Sequence, residues 1–113
     1  MTSSQYRVCM AEIANYTDPD AYVSDLALSG IWGDAEDASI PDERVEDLQK
    51  IWNAYHRTVG QIVAATGLSG RKLAERFCIS YRAMEEWMAG RREPPLHVRL
   101  MMQEIFGLLP QIT

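Results

Sequence analysis

Apolar residues recur along the chain at three- and four-residue intervals, the spacing of one face of an α-helix. No stretch alternates apolar and polar positions over the roughly four to eight residues that a half-buried strand requires. The pattern predicts an all-α protein. Tyr6, Cys9, Met10 and Ile13 mark a first helix, which ends near Thr17 because Pro19 disfavours helical backbone in the residue before it. Ala21 to Leu28 reads as a short second helix, closed by Ser29-Gly30. Gly33 to Ser39 is acidic and poor in apolar groups, an exposed loop by its composition. Pro41 then opens a third helix with a stripe of Val45, Leu48, Trp52 and Tyr55, and Ile51 beside it. From Thr58 the elements shorten to Thr58–Thr66, Ser69–Phe77, Tyr81–Ala89 and Pro95–Phe106, with Gly107 placed to cap the last. There is no internal repeat and no low-complexity segment.

The 113 residues suffice for one domain with a modest extension, and the change in element length places the boundary after Arg57. Residues 1–57 form the predicted helical extension, and residues 58–113 the predicted domain. Hydrophobic residues make up 47% and charged residues 24% of the chain, with no apolar run near the roughly 20 residues that span a bilayer. No membrane is expected as a partner. Met1 to Met10 holds one arginine and no apolar segment of signal-peptide length, so a cytoplasmic location is expected. Asn15-Tyr16-Thr17 is then a chance glycosylation sequon. Cys9 and Cys78, the two cysteines, are read as free thiols, because a cytosolic redox poise would not maintain their disulfide.

A net charge of −5 argues against a polyanionic partner until it is divided along the chain. Residues 1–57 carry four basic groups (Arg7, Arg44, Lys50, Arg57) against eleven acidic ones, a net −7. Residues 58–113 carry seven basic groups against five acidic ones, a net +2. Six of those seven lie from Arg71 to Arg92, so the second half has a locally basic segment able to face a phosphate backbone.

Ser69 and Ser80 stand where N-caps would accept hydrogen bonds from the first turns of two helices separated by little more than Cys78-Ile79. That spacing is a helix-turn-helix. Such a unit needs one helix to cross the DNA backbone and a second to enter the major groove, held at a fixed angle by inward apolar residues. Leu73, Ala74, Phe77, Ile79, Met84 and Trp87 supply the inward set, with Trp87 turned away from the groove. The second helix presents Tyr81, Arg82 and Glu86 outward. Arg82 can bond guanine O6 and N7 together, Glu86 can accept from a cytosine amino group, and Tyr81 can meet a thymine methyl or a phosphate. Ser69, Arg71, Lys72, Ser80, Arg91 and Arg92 are candidate phosphate contacts, which set register without reading sequence. The blander alternatives are that Arg82 and Glu86, at i and i+4, pair with each other in solvent, and that Arg71 and Lys72 form a solvated face.

With Gly90-Arg91-Arg92 and Pro94-Pro95 following, the run SGRKLAERFCISYRAMEEWMAGRREPP resembles the lambda-repressor-like (XRE) helix-turn-helix family over residues from about 58 to 106. The resemblance implies a sequence-specific transcriptional regulator, a repressor or an antitoxin-like autoregulator. It also implies a homodimer on double-stranded DNA. Two positions depart from the family pattern. Gly70 stands where a phosphate-gripping glutamine is common, and Cys78 stands where the turn often has glycine, which requires it to tolerate an unfavourable backbone region. Met101, Met102 and Ile105, followed by Leu108, Leu109 and Ile112, are expected in a core or a dimer surface. The extension is expected to dimerise, to bind a protein partner such as a toxin, or to enlarge the core, roles that Trp32, Trp52 and Tyr55 all suit. The rival reading is a protein-protein interaction module with the acidic half as its partner surface.

An enzyme is not expected. Asp34, Glu36 and Asp37 are acidic but lack a histidine or a buried setting for acid-base work. His56 and His97 have no cysteine or histidine at zinc-ligand spacing. Asp18 and Asp20 open like a calcium loop, but Tyr22 and Val23 replace a ligand and the glycine, and Ser29 replaces the bidentate glutamate. No glycine-rich phosphate loop and no nucleophile elbow occur, so no cofactor or metal is expected.

Overall fold

A computed structural model describes residues 1–34 and 38–113. Glu36 and Asp37, two of the three carboxylates of the acidic stretch, lie outside the described residues. Among the described residues every regular element is helical, as the apolar spacing predicts. None of these helices is long and apolar enough to cross a membrane. The chain divides into two compact units, one of Met1–Tyr55 with Gly107–Thr113 and one of His56–Phe106. The tail, expected from the sequence to belong with the second half, therefore clusters with the first unit.

In the first unit, α1 (Ser3–Glu12) starts from a capping box in which Thr2 accepts from the Gln5 amide and Gln5 accepts from that of Thr2. A single 3₁₀ turn, Ile13–Asn15, ends it before the proline. Helix α2 (Pro19–Ala27) begins two residues earlier than the apolar pattern suggests. Pro19 is tolerated at its first position because no intrahelical partner exists there for an amide, and Asp18 caps it by accepting from the Asp20 amide. A second 3₁₀ turn, Gly30–Trp32, precedes α3 (Asp42–His56). The buried line of α3 is Leu48, Ile51 and Ala54, rotated slightly from the expected stripe, so Val45, Trp52 and Tyr55 are half-buried beside it. Tyr22 is fully buried with Cys9 and Ile13, donates to the Cys9 carbonyl at 2.8 Å and lies 5.3 Å from the Trp52 ring. The residue that spoils a calcium loop is thus a core residue. Trp32 donates to the Leu26 carbonyl and lies under the Arg44 guanidinium, which also holds Asp34. In the tail, Leu109 is buried and the Thr113 amide donates to the Met1 carbonyl at 3.0 Å.

In the second unit, α4 (Val59–Thr66) opens with another capping box, Thr58 with Gln61. Helices α5 (Gly70–Arg76), α6 (Tyr81–Met88) and α7 (Leu96–Ile105) follow. Val59, Leu73, Ala74, Met84 and Met102 form the core, with Phe77, Ile79, Trp87, Val98 and Phe106 packed around it. The expected inward set therefore belongs to this core or packs against it, Trp87 only in part. Met102 is core, whereas Met101 and Ile105 are 59% and 56% exposed one turn apart on α7.

Helices α5 and α6 end in the same way with different residues. The Ile79 amide donates to the Ala74 carbonyl at 2.9 Å and the Cys78 amide to that of Glu75 at 3.3 Å. These two bonds make a Schellman motif, whose geometry needs a left-handed residue at Cys78, and its φ is 55°. After α6 the Arg91 and Gly90 amides donate to the Glu86 and Trp87 carbonyls, and Gly90 takes the left-handed position at φ 76°. Cys78 is the only non-glycine residue with positive φ among the described residues. The sequence requires it to tolerate that region, and it does.

Candidate nucleic-acid interface

Ser69 and Ser80 are N-caps as their positions predict. The Ser69 hydroxyl accepts from the Lys72 amide at 3.2 Å, and that of Ser80 from the Ala83 amide at 3.1 Å. Each hydroxyl keeps its own hydrogen to donate elsewhere. The two caps start α5 and α6, which share an apolar seam of Leu73, Ala74 and Met84. Gly70 sits at that seam and is buried, with the Met88 thioether lying across it. An added β-carbon would collide with the Met88 sulfur and stand 3.0 Å from its terminal methyl.

The outward face of α6 borders an open groove of about 490 Å³ lined by Ser80, Arg82, Ala83, Glu86, Trp87 and Arg92. Four of these are candidate contacts from the sequence. The other two differ from expectation: the sequence pattern does not single out Ala83, and it turns Trp87 wholly inward. Trp87 is instead half-buried, packing on the core while also lining the groove. The signal for this lies in its position next to the outward Glu86, which sets it on the border between the two helix faces.

Arg82 is exposed and forms no ion pair among the described residues. The alternative in which it pairs with Glu86 is therefore not the observed arrangement. Glu86 accepts instead from Arg91 Nε at 3.0 Å, where the first left-handed step after α6 folds the chain back over its last turn. Arg91, with help from the Arg92 charge, holds the Glu86 carboxyl below its usual range, and Glu86 raises the Arg91 guanidinium in return. Tyr81, 38% exposed, has the Arg71 guanidinium 4.1 Å above its ring, which ties the start of α5 to the start of α6. Lys72 and Arg92 are exposed. Ser69, Arg71 and Lys72 stand at the start of α5 and do not line the groove.

The expected sites thus fall into three sets: a groove set of Ser80, Arg82, Glu86 and Arg92, a stacked pair of Arg71 and Tyr81, and a cap set of Ser69 and Lys72. Arg91 joins the first through Glu86. Together they hold five cationic side chains (Arg71, Lys72, Arg82, Arg91, Arg92), one carboxylate and three hydroxyls (Ser69, Ser80, Tyr81). No family model, curated protein or solved structure matches the chain.

Proposed function

We propose that the unit His56–Phe106 binds double-stranded DNA in a sequence-dependent way and that the protein is a transcriptional regulator. The observation that carries this reading is the groove beside α6, where Arg82 is presented free of ion pairs between a capping hydroxyl and a second arginine. A short helix with its N-terminal residues outward fits the major groove, which is about 12 Å wide. The Schellman turn and the small Ala74 fix the angle between α5 and α6, as a unit that crosses a backbone with one helix and reads bases with the next requires.

On this reading Arg82 meets a guanine, with Tyr81 and Glu86 at neighbouring base edges. Ser69, Lys72, Ser80 and Arg92 meet phosphates. Arg71 divides its role, stacking on Tyr81 while its outer nitrogens reach the backbone. The resemblance noted from the sequence supports a repressor or antitoxin-like autoregulator, and the exposed Met101 and Ile105 are where a second copy would pack in a homodimer. A mobility-shift titration over a range of salt, on a pool of random duplexes, tests the proposal and selects the preferred site. Binding that weakens steeply, by a log-log slope of about −0.9 per neutralised phosphate, is expected. No binding at low salt removes the reading.

A further inference from the structure

Of the six residues lining the groove, Glu86 alone is acidic. A carboxylate brought against a duplex meets phosphate oxygens of its own sign, and only a base amino group, such as that of cytosine, offers it a hydrogen bond there. Glu86 already has a donor, Arg91 Nε at 3.0 Å. Arg91 is in turn one of the cations available to the backbone, and its side chain is 61% exposed. An exposed pair of this kind is weak and exchanges readily for a better partner. With its Nε on Glu86, Arg91 keeps its terminal nitrogens to donate but carries a charge that the adjacent carboxylate offsets, so it gives a phosphate its full charge only when Glu86 is bonded to a base instead.

We infer that Glu86 is a specificity-determining residue that acts by withholding Arg91 from the phosphate backbone except where a base amino group takes Arg91's place on the carboxylate. This rests on the DNA-binding reading above. On a mismatched duplex Arg91 stays on Glu86, and the protein neutralises one phosphate fewer per subunit. On the preferred site the carboxylate turns to the base, Arg91 turns to the backbone, and base reading is converted into an extra charge contact. Specificity then shows in the number of counterions released as well as in affinity at one salt concentration.

The experiment compares the duplex selected from the random pool with a scrambled duplex of equal length, using the full chain. Wild type is expected to have a log-log salt slope steeper on the selected duplex by about 0.9 per subunit, which is roughly a threefold difference in sensitivity between 50 and 200 mM salt. Glu86→Gln frees Arg91 everywhere, so binding to the scrambled duplex strengthens and its slope rises to that of the selected one. Arg91→Gln bares the Glu86 carboxylate and weakens both duplexes, but the selected one more, and it flattens the slope of the selected duplex alone. Equal slopes in wild type, or a Glu86→Gln protein whose scrambled-duplex binding is unchanged, overturns the inference while leaving DNA binding intact. Should Glu86→Gln fail to fold, Arg91→Gln decides alone: equal losses on both duplexes overturn it. A protein that binds neither duplex removes the DNA reading and this inference with it.

Discussion

The thioether of Met88, the last residue of α6, lies across Gly70, the first of α5, with its terminal methyl 3.0 Å from where a β-carbon would project. The contact accounts for a glycine at position 70. A long polar residue at position 70 would have to displace Met88, and here the space over the helix start is filled by sulfur and carbon instead. Met88 is 41% exposed and flexible, so it can move at modest cost. Gly70→Ala is expected to lose roughly 1 kcal/mol of stability, within the usual range for overpacking. In a Met88→Ala background the same change is expected to be neutral or stabilising, since only the clash opposes it. A double-mutant cycle by thermal or denaturant unfolding measures the coupling, and additive effects would show that the two side chains do not compete.

Cys78→Gly is expected to stabilise the protein by roughly 0.5–1 kcal/mol. The left-handed conformation costs a side-chain-bearing residue about 1–2 kcal/mol, and the greater freedom of glycine in the unfolded chain returns part of that. Gly90→Ala, at the matching position after α6, is expected to destabilise for the same reason. Urea midpoints for the two variants should move in opposite directions.

Trp87→Ala is expected to cost about 2–4 kcal/mol, below the range for a fully buried tryptophan because one side faces the groove. The same variant should also weaken duplex binding, measured on protein held well below its melting temperature. Loss of stability with wild-type affinity would place the ring wholly in the core, and loss of affinity alone would place it wholly on the DNA face.

Arg82→Ala and Lys72→Ala are expected to fail differently. The first should lose ~1–3 kcal/mol on the selected duplex and little on a scrambled one, relaxing discrimination at one base pair. The second should weaken both duplexes alike and make the salt slope shallower by about one. Equal behaviour of the two would mean that Arg82 contacts backbone only.

Stability should fall on the alkaline side through Cys9. Burial pushes its thiol up from 9.0 to about 11. A folded-state value above the unfolded one favours the protonated native form, so the contribution is complete below pH 9 and is lost as pH rises through 11. The loss approaches about 2–3 kcal/mol at the upper end, because a tenfold change in proton affinity is worth ~1.4 kcal/mol. Burial raises Tyr22 in the same direction, so a Cys9→Ala protein should have a shallower alkaline limb that still slopes beyond pH 10. Denaturation midpoints from pH 7 to 11 test this, and identical limbs for the two proteins would reject it.

Helix identity was legible because the signals were local: Ser69 and Ser80 before apolar runs, and Gly90 and Gly107 at helix ends need only neighbours in sequence. The turn at Cys78 was legible as a conflict between residue type and required backbone. Pairings were less accessible. Arg82 and Glu86 share helical spacing, but the reversal at Gly90 brings Arg91 to the carboxylate from five residues away, a proximity that helix periodicity does not encode. The same limit hid the Arg71–Tyr81 stack, which depends on the angle between two helices. Trp87 shows the intermediate case, because period alone sorts residues into two faces and it sits on their edge.

The seven-residue stretch Gly107–Thr113 clusters with residues that precede it by more than fifty positions, and its final amide bonds to the carbonyl of Met1. During synthesis on the ribosome, α1 to α3 emerge first but cannot bury Leu109 or close on this segment until every residue of His56–Phe106 has been made. The later unit is continuous and can complete its core as soon as Phe106 clears the exit. Residues 1–55 can therefore assemble early, but Leu109 and the Thr113–Met1 bond join their unit only after residues 56–106 have been made.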